Sequence, residues 1–341
     1  MYPKLSILDP VPIRDGQSAA QSVAASLAAA RLADRLGYER WWFTEHHGMP
    51  SSGATAPQVL TAATVALTDR IRVGSGGVVL PKHDPVTIAE HFITLESIAP
   101  GRIDLGLARG VGPSSYLGGA GKEDTEFTAN VRLLRGLTDS GRVRRRAGLR
   151  TEEVFVSAPP TTSSPIFILG TGESSARMAG RNGFAYVYAH HFSGRGTEAA
   201  LEAYRREFRP SSELASPRAI ATMNASVADS AEEAQLRALP ALLRYARMFT
   251  GGGDPFAVET VEDARARGIS ASERSVIDTL APTWIIDSAE AARRRVEAFA
   301  RDLGIDEVML LFASSAHDGE PLDRWIGVEQ GLTLLAPPRR P

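Results

Sequence analysis

Apolar positions along the chain switch repeatedly between two spacings. Short runs rich in β-branched and aromatic residues are followed by longer stretches with an apolar residue every third or fourth position. Leu5 to Leu8 reads as a first strand. Gln17 to Leu36 reads as a helix, with Val23, Leu27, Ala30 and Ala33 on one face and Gly37 as its stop signal. Arg40 to Phe43 is a second strand, and Pro57 to Leu67 a helix with proline in its first turn, where the missing N–H costs little. Ile71 to Leu80 is a third strand, Pro85 to Ile98 a helix, Arg102 to Leu107 a fourth strand, and Thr125 to Thr138 a helix through Phe127, Val131 and Leu134.

Regularity then lapses. The stretch Gly141 to Ser164 carries Arg142, Arg144, Arg145 and Arg146, then Pro159 and Pro160, which predicts a solvated, mobile insertion over about 141–164. The alternation resumes with the strand Pro165 to Leu169, the helix Glu173 to Arg181 and the strand Ala185 to Tyr188. Arg218 to Val227 and Glu307 to Phe312 supply two more strands. Between them lies helical spacing over Glu232 to Phe249 and Ala289 to Leu303, with a helical insertion over about 229–280. Eight strands that alternate with helices predict an α/β fold, a single-domain (β/α)8 TIM barrel over 1–341 with loop insertions at its C-terminal face, rather than an open doubly wound sheet. Trp284-Ile285-Ile286 has the character of one further strand.

Composition narrows the function classes. Lys+Arg 38 against Asp+Glu 40 leaves a net charge of −2, which points away from nucleic acid and from anionic membranes. The chain has no cysteine, so disulfides, thiolate metal sites and thiol nucleophiles are excluded. The absence of a long apolar run predicts no membrane span, and the entry into Lys4 to Leu8 without a signal-like segment points to a cytoplasmic protein.

In such a barrel the chemistry belongs at the C-terminal ends of the strands. Those ends carry Glu45-His46-His47, Gly76-Gly77, Ala108-Arg109-Gly110, Gly170-Thr171-Gly172 and Ala189-His190-His191. Glu45 and His46 read as an acid/base pair, or as a carboxylate that fixes the barrel end. Gly170-Thr171-Gly172 followed by Ser174 and Ser175 opens a helix whose free N–H groups and hydroxyls would hold a phosphate, with Arg109 as the matching cation. The same residues also suit a tight turn and a helix cap. Gly74-Ser75-Gly76-Gly77 is unusual within a strand and marks a bulge or the close approach of a ligand, such as a flat cofactor. Neighbouring histidines on a strand point to opposite faces, and the helical H-E-x-x-H spacing is missing, so no metal site is expected.

Taken together, Trp42 to His47, Val73 to Pro81 and Pro100 to Leu107 resemble the bacterial luciferase-like flavin-dependent monooxygenases. Leu8-Asp9 and Ala189 to Phe192 point to the single-subunit branch that includes antibiotic-tailoring oxygenases of actinomycetes. The resemblance implies reduced FMN and molecular oxygen as co-substrates, acting on an organic substrate of the secondary-metabolite kind through a flavin peroxide. It implies His46, Glu45 and His191 as catalytic residues. Arg109, Gly170, Thr171, Gly172, Ser174, Ser175 and His190 would bind the cofactor, with Gly76 and Gly77 forming a cis peptide under its ring. It also implies a homodimer. No G-x-G-x-x-G follows a strand, so a separate flavin reductase is expected to supply the reduced cofactor. Ala108 stands where the luciferases carry cysteine, and the loop beyond Arg109 departs from the branch at Gly110 to Pro113. Two other readings stay open on the same barrel: hydride transfer with a deazaflavin, and non-catalytic flavin binding. A third is a phosphate-binding lyase or isomerase without flavin.

Overall fold

The computed structural model describes residues 2–110, 125–147, 150–251 and 258–338. Its elements begin with β1 (Lys4–Asp9), α1 (Ala19–Leu36), β2 (Arg40–Phe43), α2 (Pro57–Val65), β3 (Arg72–Val79), α3 (Pro85–Ile98), β4 (Ile103–Ala108) and α4 (Thr125–Ser140). A pair β5 (Arg142–Ala147) and β6 (Arg150–Phe155) precedes β7 (Ile166–Gly170), α5 (Glu173–Arg181), β8 (Ala185–Tyr188), α6 (Thr197–Glu207) and β9 (Ala219–Ala228). Then come α7 (Ala231–Thr250), α8 (Val261–Arg267), α9 (Ala271–Leu280), β10 (Ile285–Ser288), α10 (Ala289–Leu303), β11 (Glu307–Phe312) and α11 (Ile326–Leu334).

Eight parallel strands close in the order β1-β2-β3-β4-β7-β8-β9-β11 and back to β1, which is the expected TIM-barrel architecture. β10 lies outside this ring. It pairs with the last four residues of β9, so the extra strand suggested by Trp284 to Ile286 extends one strand and does not enlarge the barrel.

Period two sorts the side chains. Leu8, Trp42, Phe167, Ala185, Val187, Ile220, Met309 and Leu311 fill the barrel interior. Their neighbours Ile7, Trp41, Phe43 and Val73 face outward and pack under the helices. One end of the interior is polar. Arg40 reaches Glu307 at 2.5 Å and Asp104 at 2.6 Å; Trp42 Nε1 and Arg72 Nε both donate to Asp104 at 2.9 Å. Arg40, Asp104 and Glu307 are almost wholly buried, so each charge depends on its partners.

The insertion near 141–164 is not structureless. β5 and β6 form an antiparallel pair in which Arg144 faces Glu153 and Arg145 faces Glu152, the latter an ion pair of 2.5 Å. Arg144 and Arg145 of the arginine run therefore have acidic residues opposite them across the ribbon, while Val143 and Val154 pack against the core. Residues 231–280 carry α7, α8 and α9, and α7 and α9 share a cluster of Ala238, Leu242, Leu243, Ile277 and Leu280 with Trp284.

Candidate active site

The segment that leaves β2 keeps the strand's alternation. Thr44 and His46 fall to one side, Glu45 and His47 to the other. His46 Nδ1 lies 2.9 Å from Thr44 Oγ1, and its backbone N–H donates to Ala54 O at 2.8 Å. Burial, reinforced by the charges of Arg244 and His47, lowers the His46 pKa to about 4, so the ring is neutral at physiological pH.

Glu45 does not orient His46, as the pairing of adjacent residues in the sequence had suggested. Its Oε1 accepts from His47 Nε2 at 2.5 Å and from His83 Nε2 at 2.7 Å, while Oε2 accepts from the Val79 N–H at 2.9 Å. Burial opposes the charge on Glu45, but these three donors prevail and its pKa is lowered. The partner of His46 is Thr44, two residues away on its own face.

His190 and His191 also diverge. His191 Nδ1 lies 2.6 Å from Thr222 Oγ1, and Asn224 Nδ2 donates to the His191 carbonyl at 2.8 Å. Burial first, then the charges of His46 and His190, lower its pKa to about 3. That mutual influence puts His191 and His46 in one electrostatic neighbourhood. His190, expected at the cofactor, instead engages the helical shell. Its Nδ1 lies 2.7 Å from Thr197 Oγ1, and its ring meets Phe299 of α10 edge-on at 4.9 Å. Thr222 and Asn224 are site residues that no motif marks in the sequence. The available signal was the polar alternation Thr222, Asn224, Ser226 within β9, which puts these residues on the face of inward-facing Ile220.

The peptide Gly76–Gly77 is cis, as the resemblance implied. A Cβ on Gly76 would lie 2.5 Å from Leu8 Cδ1, and one on Gly77 would lie 2.9 Å from the Gly106 backbone. At Gly77 the neighbour is backbone and cannot yield, whereas at Gly76 it is the tip of Leu8 with Trp42 Cβ 3.2 Å away, and the β3–β4 register shifts between Ser75 and Val78.

Helix α5 starts directly after Gly172, with no side-chain cap. The N–H groups of Glu173, Ser174 and Ser175 have no acceptor within the helix, as helical geometry requires. Ser175 Oγ turns back to donate to Gly172 O at 2.8 Å and sits 3.1 Å from Tyr186 OH. A Cβ on Gly170 would strike that hydroxyl. Ser175 therefore offers a bound anion its backbone N–H, not its side chain, and Thr171 is exposed at the mouth of the turn. Burial raises the Tyr186 pKa, and the positive charge of Arg109 pulls it the other way, so Arg109 faces the same corner. Among the described residues no carboxylate pairs with Arg109. The cover of this corner, expected in the 110–125 loop, falls largely outside the described residues.

The luciferase-like monooxygenase family profile matches residues 4–307. The chain belongs to this family. It is 31% identical over 317 residues to a luciferase-like monooxygenase of Escherichia coli (strain K12), covering 89% of this chain and 90% of that protein. The solved structure of apo-MsnO8 matches with a TM-score of 0.82 at 30% identity, covering 98% of both chains. The oxygenating constituent of 3,6-diketocamphane monooxygenase from a Pseudomonas putida plasmid, solved in complex with FMN, shares the fold: its TM-score is 0.69 at 18% identity, with 98% of this chain and 96% of that chain covered. No helix among the described residues is long and apolar enough to cross a membrane.

Proposed function

We propose that this family member oxygenates a small organic substrate, using reduced FMN delivered by a separate reductase together with molecular oxygen. The observation that carries the reading is the convergence on one barrel rim of a cation, an uncapped helix start and two neutral imidazoles. The donor set fits a phosphomonoester: Arg109 supplies charge, and the first turn of α5 supplies the N–H groups of Glu173, Ser174 and Ser175. Gly76 and Gly77 present no side chain on that strand to a flat ring that approaches its backbone.

Reduced FMN, when bound, supplies the electrons that activate oxygen. The protein supplies position and hydrogen bonds. With Nδ1 of His46 held at Thr44 and Nδ1 of His191 held at Thr222, Nε2 is left on each ring to address substrate. Protonating His46 at pH 7 costs about 4 kcal/mol, so the ring suits hydrogen bonding to a developing charge better than storing a proton.

The test is anaerobic titration of the protein with reduced FMN, FAD and deazaflavin, read by fluorescence and thermal shift, followed by admission of oxygen with candidate substrates. Preferential binding of reduced FMN supports the reading. Preference for deazaflavin moves the reaction to hydride transfer, and failure to bind any flavin overturns the site.

A further inference from the structure

The face of the β2 exit turned away from His46 carries a second constellation. Alternation that separates neighbouring histidines also brings Glu45 and His47 onto one face, and the turn after β3 adds His83. One candidate ligand atom from each of the three lies within 4.8 Å of the others. Glu45 is buried at the centre, and its second oxygen is fixed by the Val79 N–H at 2.9 Å. The imidazoles are open to solvent, with side chains 38% and 28% exposed for His47 and His83.

We propose that Glu45, His47 and His83 form a binding site for a divalent transition-metal ion of the Zn²⁺ class. Two imidazole nitrogens, which are borderline donors, beside one hard carboxylate oxygen suit Zn²⁺, Co²⁺ and Ni²⁺, whereas an all-oxygen set would select Ca²⁺ or Mg²⁺. The bonds that now join Glu45 Oε1 to both Nε2 atoms would be replaced by three bonds to the ion. That requires the nitrogens to bind deprotonated and the carboxylate to draw back by a fraction of an ångström. The Val79 N–H holds the ligating carboxylate as outer-shell donors do in established sites. The exposed imidazoles give the ion an entry path and leave its remaining positions to water.

Such an ion would join the rims of β2 and β3 across 38 residues of sequence. Two of its ligands flank His46, so it would fix the backbone on both sides of that residue. The proposal does not depend on which flavin the protein takes.

The test uses the full chain, free of any affinity tag and stripped with a chelator. Titration with CoCl₂ is followed by visible ligand-field absorption, and with ZnCl₂ by thermal shift. The expected result is one Co²⁺ per chain, a visible band displaced by Zn²⁺, and a rise in Tm. His47→Ala and His83→Ala should each weaken binding at least about tenfold, with folding checked by far-UV circular dichroism. His317→Ala should leave binding unchanged, although His317 contacts Glu233 and Glu262 in the other imidazole–carboxylate cluster among the described residues. A visible spectrum of the wild-type protein at saturating CoCl₂ that is the same as that of the free aqua ion overturns the proposal. Equal affinity in both folded histidine variants overturns it as well.

Discussion

Replacing His191 should remove a measurable part of the protein's acid sensitivity. Burial, with His46 and His190 nearby, lowers its pKa from 6.5 to about 3, so the folded protein keeps this ring neutral where an unfolded chain protonates it. Below pH 6.5 the unfolded state therefore binds more protons, and stability falls as pH falls until the folded-state pKa is reached. At pH 5 the unfolded imidazole is almost fully charged and the folded one almost fully neutral. Relative to pH 7 the cost is about 2 kcal/mol. A folded-state value one unit higher leaves that figure nearly unchanged, because it is set by the unfolded ring. Asp9 acts in the opposite direction: its buried carboxyl has a pKa raised to about 6, so it contributes stability at acid pH that is lost as pH rises. Asp9 is present in both proteins and cancels from the comparison. The assay is urea unfolding of wild type and His191→Gln at pH 7 and pH 5. Wild type should lose about 2 kcal/mol more than the variant between the two conditions. Any constant offset from the lost ring drops out of this double difference. Equal losses in the two proteins would refute the burial argument.

Arg109→Ala should weaken FMN more than riboflavin, since only FMN presents a phosphate to the α5 turn; equal losses in fluorescence titrations would make Arg109 structural. His46→Ala should retain flavin binding while losing turnover, and unchanged turnover would remove it from the chemistry. Glu307→Ala leaves Arg40 with a single close carboxylate inside the barrel and should cost about 3–5 kcal/mol in denaturant melts. Gly77→Ala brings a Cβ against the Gly106 backbone, which cannot move as a side-chain tip can, and should cost about 1–3 kcal/mol.

The barrel was legible because each strand and helix repeats a strong local pattern. Pro85–Ile98, Ala185–Tyr188 and Glu307–Phe312 begin and end where the spacing places them. The β5–β6 ribbon was not legible in the same way. Four arginines within five residues read as a solvated run until their partners are known, and Glu152 and Glu153 become partners only once an antiparallel register is set. The Arg40–Asp104–Glu307 cluster was hidden for a related reason. Its members begin β2, sit early in β4 and begin β11, and only closure of the sheet brings them together.

The same limit governs the rim. The sequence marks Glu45, His46 and His47 as one chemical unit, because adjacency along the chain is all it displays. A strand-like exit divides that unit between two faces. His46 goes with Thr44 toward His191, while Glu45 and His47 go toward His83. Charge at the rim is separated accordingly. The face that carries His46 and His191 holds rings kept neutral by burial, and the opposite face holds an ionised carboxylate under two solvent-facing imidazoles. A barrel strand that ends in Glu-His-His thus offers two sites of different chemistry from three consecutive residues. Adjacent side chains there should respond differently to the same ion: Zn²⁺ should shift the ring resonances of His47 and leave the His46 ring in its Thr44 hydrogen bond. A Zn²⁺-dependent change at His46 matching that at His47 would show that the two faces are not separate.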